Sequence, residues 1–289
     1  MTRASPRLPR HLLIVGGSGR LGRALSAAAR DAGVRVTATT RHPHDAGPGM
    51  PFLDLARNAG RFRPPADADA AVLCAAVTDL RLCAADPALA RRINHDAVLA
   101  VAAACRDAGI FMVFPSTNLV FDGTRPFRRT DEAPTPHTPY GRLKAETEAA
   151  LLAAGNAAVL RLTKVLDPAL PLLAGWAAAL RAGQPVRAFH DMVLAPVGLD
   201  HAAGALLALA GARRAGVAHL SGDRDLSYHA LAGILAARLG VPAGPVAPAS
   251  RRDAGIADAA APAHTTLSMD GLSDVAGTGP VTLDRIALC

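Results

Sequence analysis

In the stretch TPYGRLKAETE (138–148), Tyr140 stands four residues before Lys144. On a helix that spacing puts phenol and ammonium on one face, a turn apart. The composition singles the pair out. The chain has two tyrosines, Tyr140 and Tyr228, and two lysines, Lys144 and Lys164, and every other basic side chain that carries a fixed charge is arginine. Lysine offers a compact ammonium where arginine offers a planar fork, and the two do different chemistry. A phenol ordinarily titrates near pH ~10. A neighbouring ammonium and a bound cofactor would lower that value. Tyr140 would then exchange a proton with a carbonyl or alcohol oxygen while hydride moves at the adjacent carbon. The same oxygen needs a second donor. VFPSTNLVFDG (113–123) supplies Ser116 and Thr117 at the end of an apolar run that reads as a strand. Ligands of doubly wound sheets sit at the carboxyl ends of strands.

A cofactor site is written near the start of the chain. LIVGGSGRLGRAL holds Gly16, Gly19 and Gly22 in a G-x-x-G-x-x-G frame between a strand and a helix. Glycines there let the backbone turn tightly and approach a pyrophosphate, and the helix N-terminus adds free N–H groups and a partial positive charge. Arg20 and Leu21 belong to the same cofactor-binding turn. Past the second strand an acidic residue would select NAD. The sequence gives TATTRHPH instead, with Thr40, Arg41 and His42. Arg41 suits a 2′-phosphate, which points to NADP, with NAD as the alternative. Asp54, in FLDL (52–55), stands where the next turn would touch adenine.

These groups need a scaffold, and the first 165 residues supply its rhythm. HLLIV (11–15), VRVTAT (34–39), AAVLCAA (70–76), IFMVFPS (110–116) and AAVLRLT (157–163) read as strands. Between them, 20–33, 86–109 and 137–155 read as helices, with Gly33 and Gly109 closing the first two and Pro87 in the first turn of the second. Strands alternating with helices of this length predict an α/β fold, a doubly wound parallel sheet of Rossmann type. Residues 1–165 form its dinucleotide-binding domain. Residues 166–289 read as a smaller C-terminal substrate lobe, partly interleaved with the sheet domain. In it 171–183, 200–216 and 227–240 are helical, 217–222 is a strand, and the Pro/Ala/Gly-rich 241–263 is loop-like. Lys164, in RLTKVL, follows a strand; pocket-facing and structural readings both stay open.

The chain's 289 residues, 51% hydrophobic and 19% charged, describe a folded globular protein. The net charge of +7 is carried by scattered arginines. None forms the basic run of a nucleic-acid tail, and a small anionic ligand such as a nucleotide is the better-matched partner. Cys74, Cys83, Cys105 and Cys289 match no zinc spacing and no dense disulfide framework, which leads to an expectation of free thiols and a reducing cytoplasm. The basic N-terminus has too short an apolar stretch for a signal peptide, and no run approaches a membrane span.

Together these elements resemble the extended short-chain dehydrogenase/reductase family, in its dTDP-4-dehydrorhamnose reductase-like, sugar-nucleotide-binding subgroup. GGSGRLGRAL looks like the cofactor loop, and LCAAVTDLRLCAADPALARRINHDA (73–97) like the alanine-rich strand, following loop and Asn-bearing helix. STNLVFDG (116–123) is similar to the family's Ser-Thr-Asp-Tyr-Val-Phe-Asp-Gly, and YGRLKAETE (140–148) to its Tyr-Gly-x-x-Lys-x-x-x-Glu. The resemblance implies that Thr117 is the triad hydroxyl with Ser116 beside it, and that Tyr140 is the acid/base. It implies that Lys144 holds the nicotinamide ribose and depresses the Tyr140 pKa, and that Ala75 and Ala76 pass under the cofactor. It implies a reductase of a nucleotide-linked keto-sugar, with a homodimer as a possible assembly. The departures fall on the substrate side. Asn118-Leu119 replaces the family's Asp-Tyr, Met192 stands for a glutamine, and Val197 follows Pro196. A sugar-nucleotide epimerase or dehydratase of the same fold stays open, as does a non-catalytic NADP-binding regulatory subunit. The missing carboxylate after Thr117 disfavours the dehydratase.

Overall fold

The computed structural model describes residues 7–242, 244–256, 261–269 and 280–289. Six strands form one parallel sheet. They are β1 (His11–Val15), β2 (Arg35–Ala38), β3 (Ala70–Leu73), β4 (Phe111–Thr117), β5 (Ala157–Leu162) and β10 (Gly216–Leu220). Their order is β10-β5-β4-β3-β1-β2, and every neighbouring pair is parallel. β1, β3, β4 and β5 are buried along their whole length, as continuous apolar runs covered on both faces must be. In β1, Leu12 and Ile14 join one core while Leu13 and Val15 join the other. Strand alternation thus sends one run of residues into two separate layers.

The first layer holds α1 (Arg20–Asp31) and α7 (Leu199–Ala212), and the second holds α4 (Ala97–Asp107) and α5 (Pro139–Ala153). Gly33 and Gly109 follow their helices with φ of +76° and +70°. The helix expected over 86–109 is present, but not as one regular cylinder. α3 (Pro87–Arg91) starts on the Asp86 cap, whose carboxylate accepts from Leu89 N at 2.9 Å. It then passes through a π-helical turn (Arg92–Asp96) into α4. That turn buries Asn94. Its side chain accepts from Val77 N and donates to Val77 O, both at 2.8 Å. One amide thereby clamps the loop after β3. The short α2 (Leu80–Ala85), capped by Asp79, is six residues long and shows no periodicity for sequence reading to catch.

The later half contributes β10 to the sheet edge and α7 to its face. It also contains α6 (Pro171–Arg181) and α8 (Tyr228–Arg238), both at the expected places. Three two-stranded pairs are new. β6 (Lys164–Leu166) pairs with β9 (Pro196–Gly198), β7 (Val186–Phe189) with β12 (Val246–Ala249), and β8 (Val193–Leu194) with β11 (Leu226–Ser227). β12 corrects the loop reading of 241–263: Val246–Ala249 is held by its parallel partner, not by any strand-like run of its own. Residues 243 and 257–260 of that stretch lie outside the described residues, as do residues 1–6 of the N-terminus read against a signal peptide.

Candidate functional site

Gly16 ends β1 with φ +89°, a conformation that side chains resist. A Cβ placed there would lie 2.7 Å from Ala75 N, so the loop after β1 presses on the chain leaving β3. At Gly22 a Cβ would overlap the Gly16 carbonyl. Both glycines are therefore required by close backbone approach. Gly16 N donates to Thr39 Oγ1 at 2.9 Å and Gly19 N to Gly16 O at 3.1 Å, which fixes the turn into α1. The result is a bare backbone cradle at a helix N-terminus, the form that receives a pyrophosphate.

The carboxyl ends of β4 and β5 face the same opening. Thr117 pairs in register with Leu162, and Ser116 with Arg161. Thr117 Oγ1 accepts from Leu119 N at 3.2 Å, which orients the hydroxyl and leaves its hydrogen to give away. Ser116 Oγ is buried with no hydrogen-bond partner among the described residues. An orphaned buried hydroxyl costs free energy that a ligand oxygen would return.

Tyr140 and Lys144 are buried on the inner face of α5. Thr138 caps that helix, accepting from Gly141 N at 3.0 Å, and Pro139 fills its first position. Gly141 meets the Leu119 carbonyl so closely that any Cβ would overlap it. The helix can thus seat Tyr140 against the turn that follows Thr117. Lys144 Nζ donates to Pro115 O at 2.6 Å and lies 3.8 Å from the centroid of the Phe114 ring. Two of its three N–H groups remain for a ligand.

Burial raises the Tyr140 phenol above its ordinary value, and Cys83 pushes the same way. The depression expected from Lys144 is not the larger effect here: the ammonium donates to Pro115 O on β4, and desolvation prevails at the phenol. A phenol of raised pKa stays protonated through the physiological range, which suits a donor. Burial lowers Lys144 to about 8, while Glu148 and then Cys74 push it back up. Cys74 itself is raised to about 12 by burial, against the pull of Lys144, so it is a neutral thiol. Cys74, Cys83, Cys105 and Cys289 are all free.

One cavity of about 500 Å³ gathers most of these groups, a size ordinary for a cofactor or substrate site. Gly16, Gly19, Arg20, Leu21, Gly22, Ala76, Ser116, Thr117, Tyr140 and Lys144 all line it. Ala75 lies just behind, under Gly16, its N–H given to Val15 O at 2.9 Å. Arg41 and Asp54 do not line the cavity. Arg41 is exposed past the end of β2. Asp54 is occupied locally, accepting from Ala56 N at 2.9 Å with Arg57 3.5 Å away. Met192, named from the sequence as a substrate-side departure, lines the cavity; sequence reading missed Val193 and Leu194 beside it, along with Thr163, Thr265 and Tyr228. A signal for part of it was present: both tyrosines and both lysines of the chain line this one cavity.

The Lys144 value carries a test. The native group has released its proton between pH about 8 and 10.5 while the unfolded group still holds it, so in that window Lys144 makes stability rise with pH. Below about 8 both states are protonated, and its contribution no longer changes with pH. Binding of an anionic ligand to this ammonium would run the other way, weakening as the proton leaves. We expect NADPH affinity of the free protein to fall by up to about tenfold per pH unit above about 8, and Lys144→Met to remove that step. Fluorescence titration across pH 6–10 reads both; an identical profile in the variant would dissociate Lys144 from the cofactor.

The family described as RmlD substrate binding domain matches residues 10–283. The chain belongs to that family. Its resemblance to the extended dehydrogenase/reductases of dTDP-4-dehydrorhamnose reductase type is therefore borne out over nearly its whole length. A probable low-salt glycan biosynthesis reductase of Haloferax volcanii is 33% identical over 163 residues, 54% of each chain. A dTDP-4-keto-6-deoxy-D-glucose reductase of Streptomyces niveus is 36% identical over 142 residues, 48% of this chain and 46% of that one. The chain spans about half the length of these curated relatives. A dTDP-4-dehydrorhamnose reductase structure from Bacillus anthracis, in complex with NADP, shares the fold: its TM-score is 0.79 at 18% identity, covering 99% of this chain and 96% of that one.

Proposed function

We propose that this RmlD-family protein is an NADPH-dependent reductase of a nucleotide-linked keto-sugar or a similar carbonyl compound. One observation carries the reading: a buried phenol, a buried lysine and two hydroxyls share a cavity with the glycine cradle. When bound, the nicotinamide supplies the hydride. Gly16, Gly19 and Gly22 seat the pyrophosphate, with Arg20 beside it. Lys144 turns its spare N–H groups to the nicotinamide ribose. Tyr140 gives its phenolic proton to the carbonyl oxygen as the carbon below takes hydride, and Thr117 and Ser116 hydrogen-bond that oxygen while its charge grows. Arg41, exposed past the end of β2, favours the 2′-phosphate of NADP. The substrate lobe after residue 165 supplies the wall that faces the sugar. The Streptomyces niveus relative's name, a keto-sugar-nucleotide reductase, supports the same substrate class.

The direct test is loss of NADPH absorbance with the purified protein and a panel of dTDP- and UDP-linked 4-keto sugars. Turnover with at least one is the expected result. NADPH binding with no turnover across the panel would move the assignment to a cofactor-binding regulatory subunit.

A further inference from the structure

The proposed reduction leaves one cation of the cavity unused. Lys164 opens β6, two residues past Leu162, the register partner of Thr117. It therefore stands one strand over from the hydroxyl pair. The glycine cradle follows β1, three places along the sheet from β5.

The cavity lining carries three fixed cations, Arg20, Lys144 and Lys164, against one carboxylate, Asp167. Arg20 Nε lies 3.6 Å from Asp167 Oδ2, and Lys144 is held by Pro115 O. The Lys164 side chain makes no hydrogen bond or ion pair among the described residues. It is exposed and lines the cavity. A cation standing free on a cavity wall is placed to meet an arriving anion. The neighbouring wall at Met192, Val193 and Leu194 brings no charged side chain to compete for it.

We propose that Lys164 is the specificity-determining cation of the substrate site, pairing with an anionic oxygen group that the substrate itself carries. The group is a phosphate of the nucleotide link or a carboxylate on the sugar. The inference rests on reading this cavity as the substrate site, and deepens that reading: the preferred substrates are more negatively charged at the reacting end than a neutral carbonyl compound.

Calorimetric titration of the NADP-bound protein with dTDP, dTDP-glucose and dTDP-glucuronate tests it without needing turnover. Lys164→Gln should weaken binding by about tenfold or more, while NADPH affinity stays within about twofold and Lys164→Arg recovers part of the loss. A loss shared equally by all three probes assigns the charge to the diphosphate. A loss confined to dTDP-glucuronate assigns it to the sugar carboxylate. Equal binding by native and Lys164→Gln protein overturns the proposal, as does a loss of NADPH affinity instead, or native protein that binds none of the three. Binding that depends on Lys164 with no turnover of any keto sugar would leave the anion site standing and sink the reductase.

Discussion

Tyr140→Phe should lower kcat by about 10²–10⁴-fold, the usual worth of a positioned general acid, while NADPH binding stays within about threefold of native. The size follows from what else the cavity offers. Among the described residues, no other side chain of the cavity combines a proton to give with a place on the helix face opposite Ser116 and Thr117. Lys144 is committed through Pro115 O and the Phe114 ring, and the Cys74 thiol, raised to about 12, is a poor donor. The phenol makes no hydrogen bond within the described protein. Its removal orphans nothing, so thermal stability should shift by no more than about 0.5 kcal/mol. A loss of activity at unchanged stability and unchanged cofactor affinity separates a chemical role from a structural one. Equal turnover numbers in the native protein and the Tyr140→Phe variant would sink the mechanism.

Thr117→Val provides the companion measurement. Thr117 Oγ1 already accepts from Leu119 N, which holds the oxygen in place and leaves its hydrogen to give. Losing one preorganised donor to a developing oxyanion costs about 10²–10³-fold in kcat. Ser116 has no such orienting partner, and Ser116→Ala should cost less than Thr117→Val. The reverse order would exchange the two roles.

The half of the cavity built from the glycine turn and the Tyr140–Lys144 helix was legible in the sequence because its requirements are local. Gly16, Gly19 and Gly22 are spaced by the geometry of one turn, and Tyr140 and Lys144 by one turn of helix. Each constraint sits within a few residues of chain. The substrate half is assembled at long range. Tyr228 starts a helix that meets Met192 through a backbone bond of 3.2 Å, and Thr265 arrives from near the C-terminus. No local pattern marks those residues. The lobe strands escaped for a related reason: β8 and β11 are two residues long and exist only as partners of one another. Asp54 shows the limit of reading by position: its place in the chain matches a nucleotide rim, yet it is occupied by its own turn. The Tyr140 value was misjudged because spacing reveals Lys144 as a neighbour and says nothing about desolvation.

The second large effect lies behind the site. Arg161 on β5 donates to Glu148 Oε2 from Nε at 3.0 Å and from Nη2 at 2.8 Å, and the two side chains are 4% and 2% exposed. The same guanidinium lies 5.0 Å from the Phe121 ring centroid and 3.4 Å from His219 Nε2. His219 Nδ1 is 2.9 Å from the Ser268 carbonyl, which can only accept, so Nδ1 carries the hydrogen and Nε2 accepts from Arg161. One buried ion pair thus ties α5, β5 and β10 together. Removing either charge alone strands the other, and Glu148→Ala or Arg161→Ala should each cost about 3–5 kcal/mol in urea unfolding. Replacing both, as Glu148→Leu with Arg161→Met, should recover most of that, because the penalty belongs to the unpaired charge rather than to the lost attraction. A single-variant cost below about 1 kcal/mol would show the pair to be dispensable. Glu148→Gln carries the effect into the site. Glu148 sits one turn past Lys144, and its charge opposes the burial that lowers the ammonium to about 8. Without it the Lys144 value drops further, so the pH at which NADPH affinity begins to fall should move down, not up. An unchanged pH would mean that the Glu148 charge does not reach Lys144, and that the pair holds α5 in place without tuning the chemistry it carries.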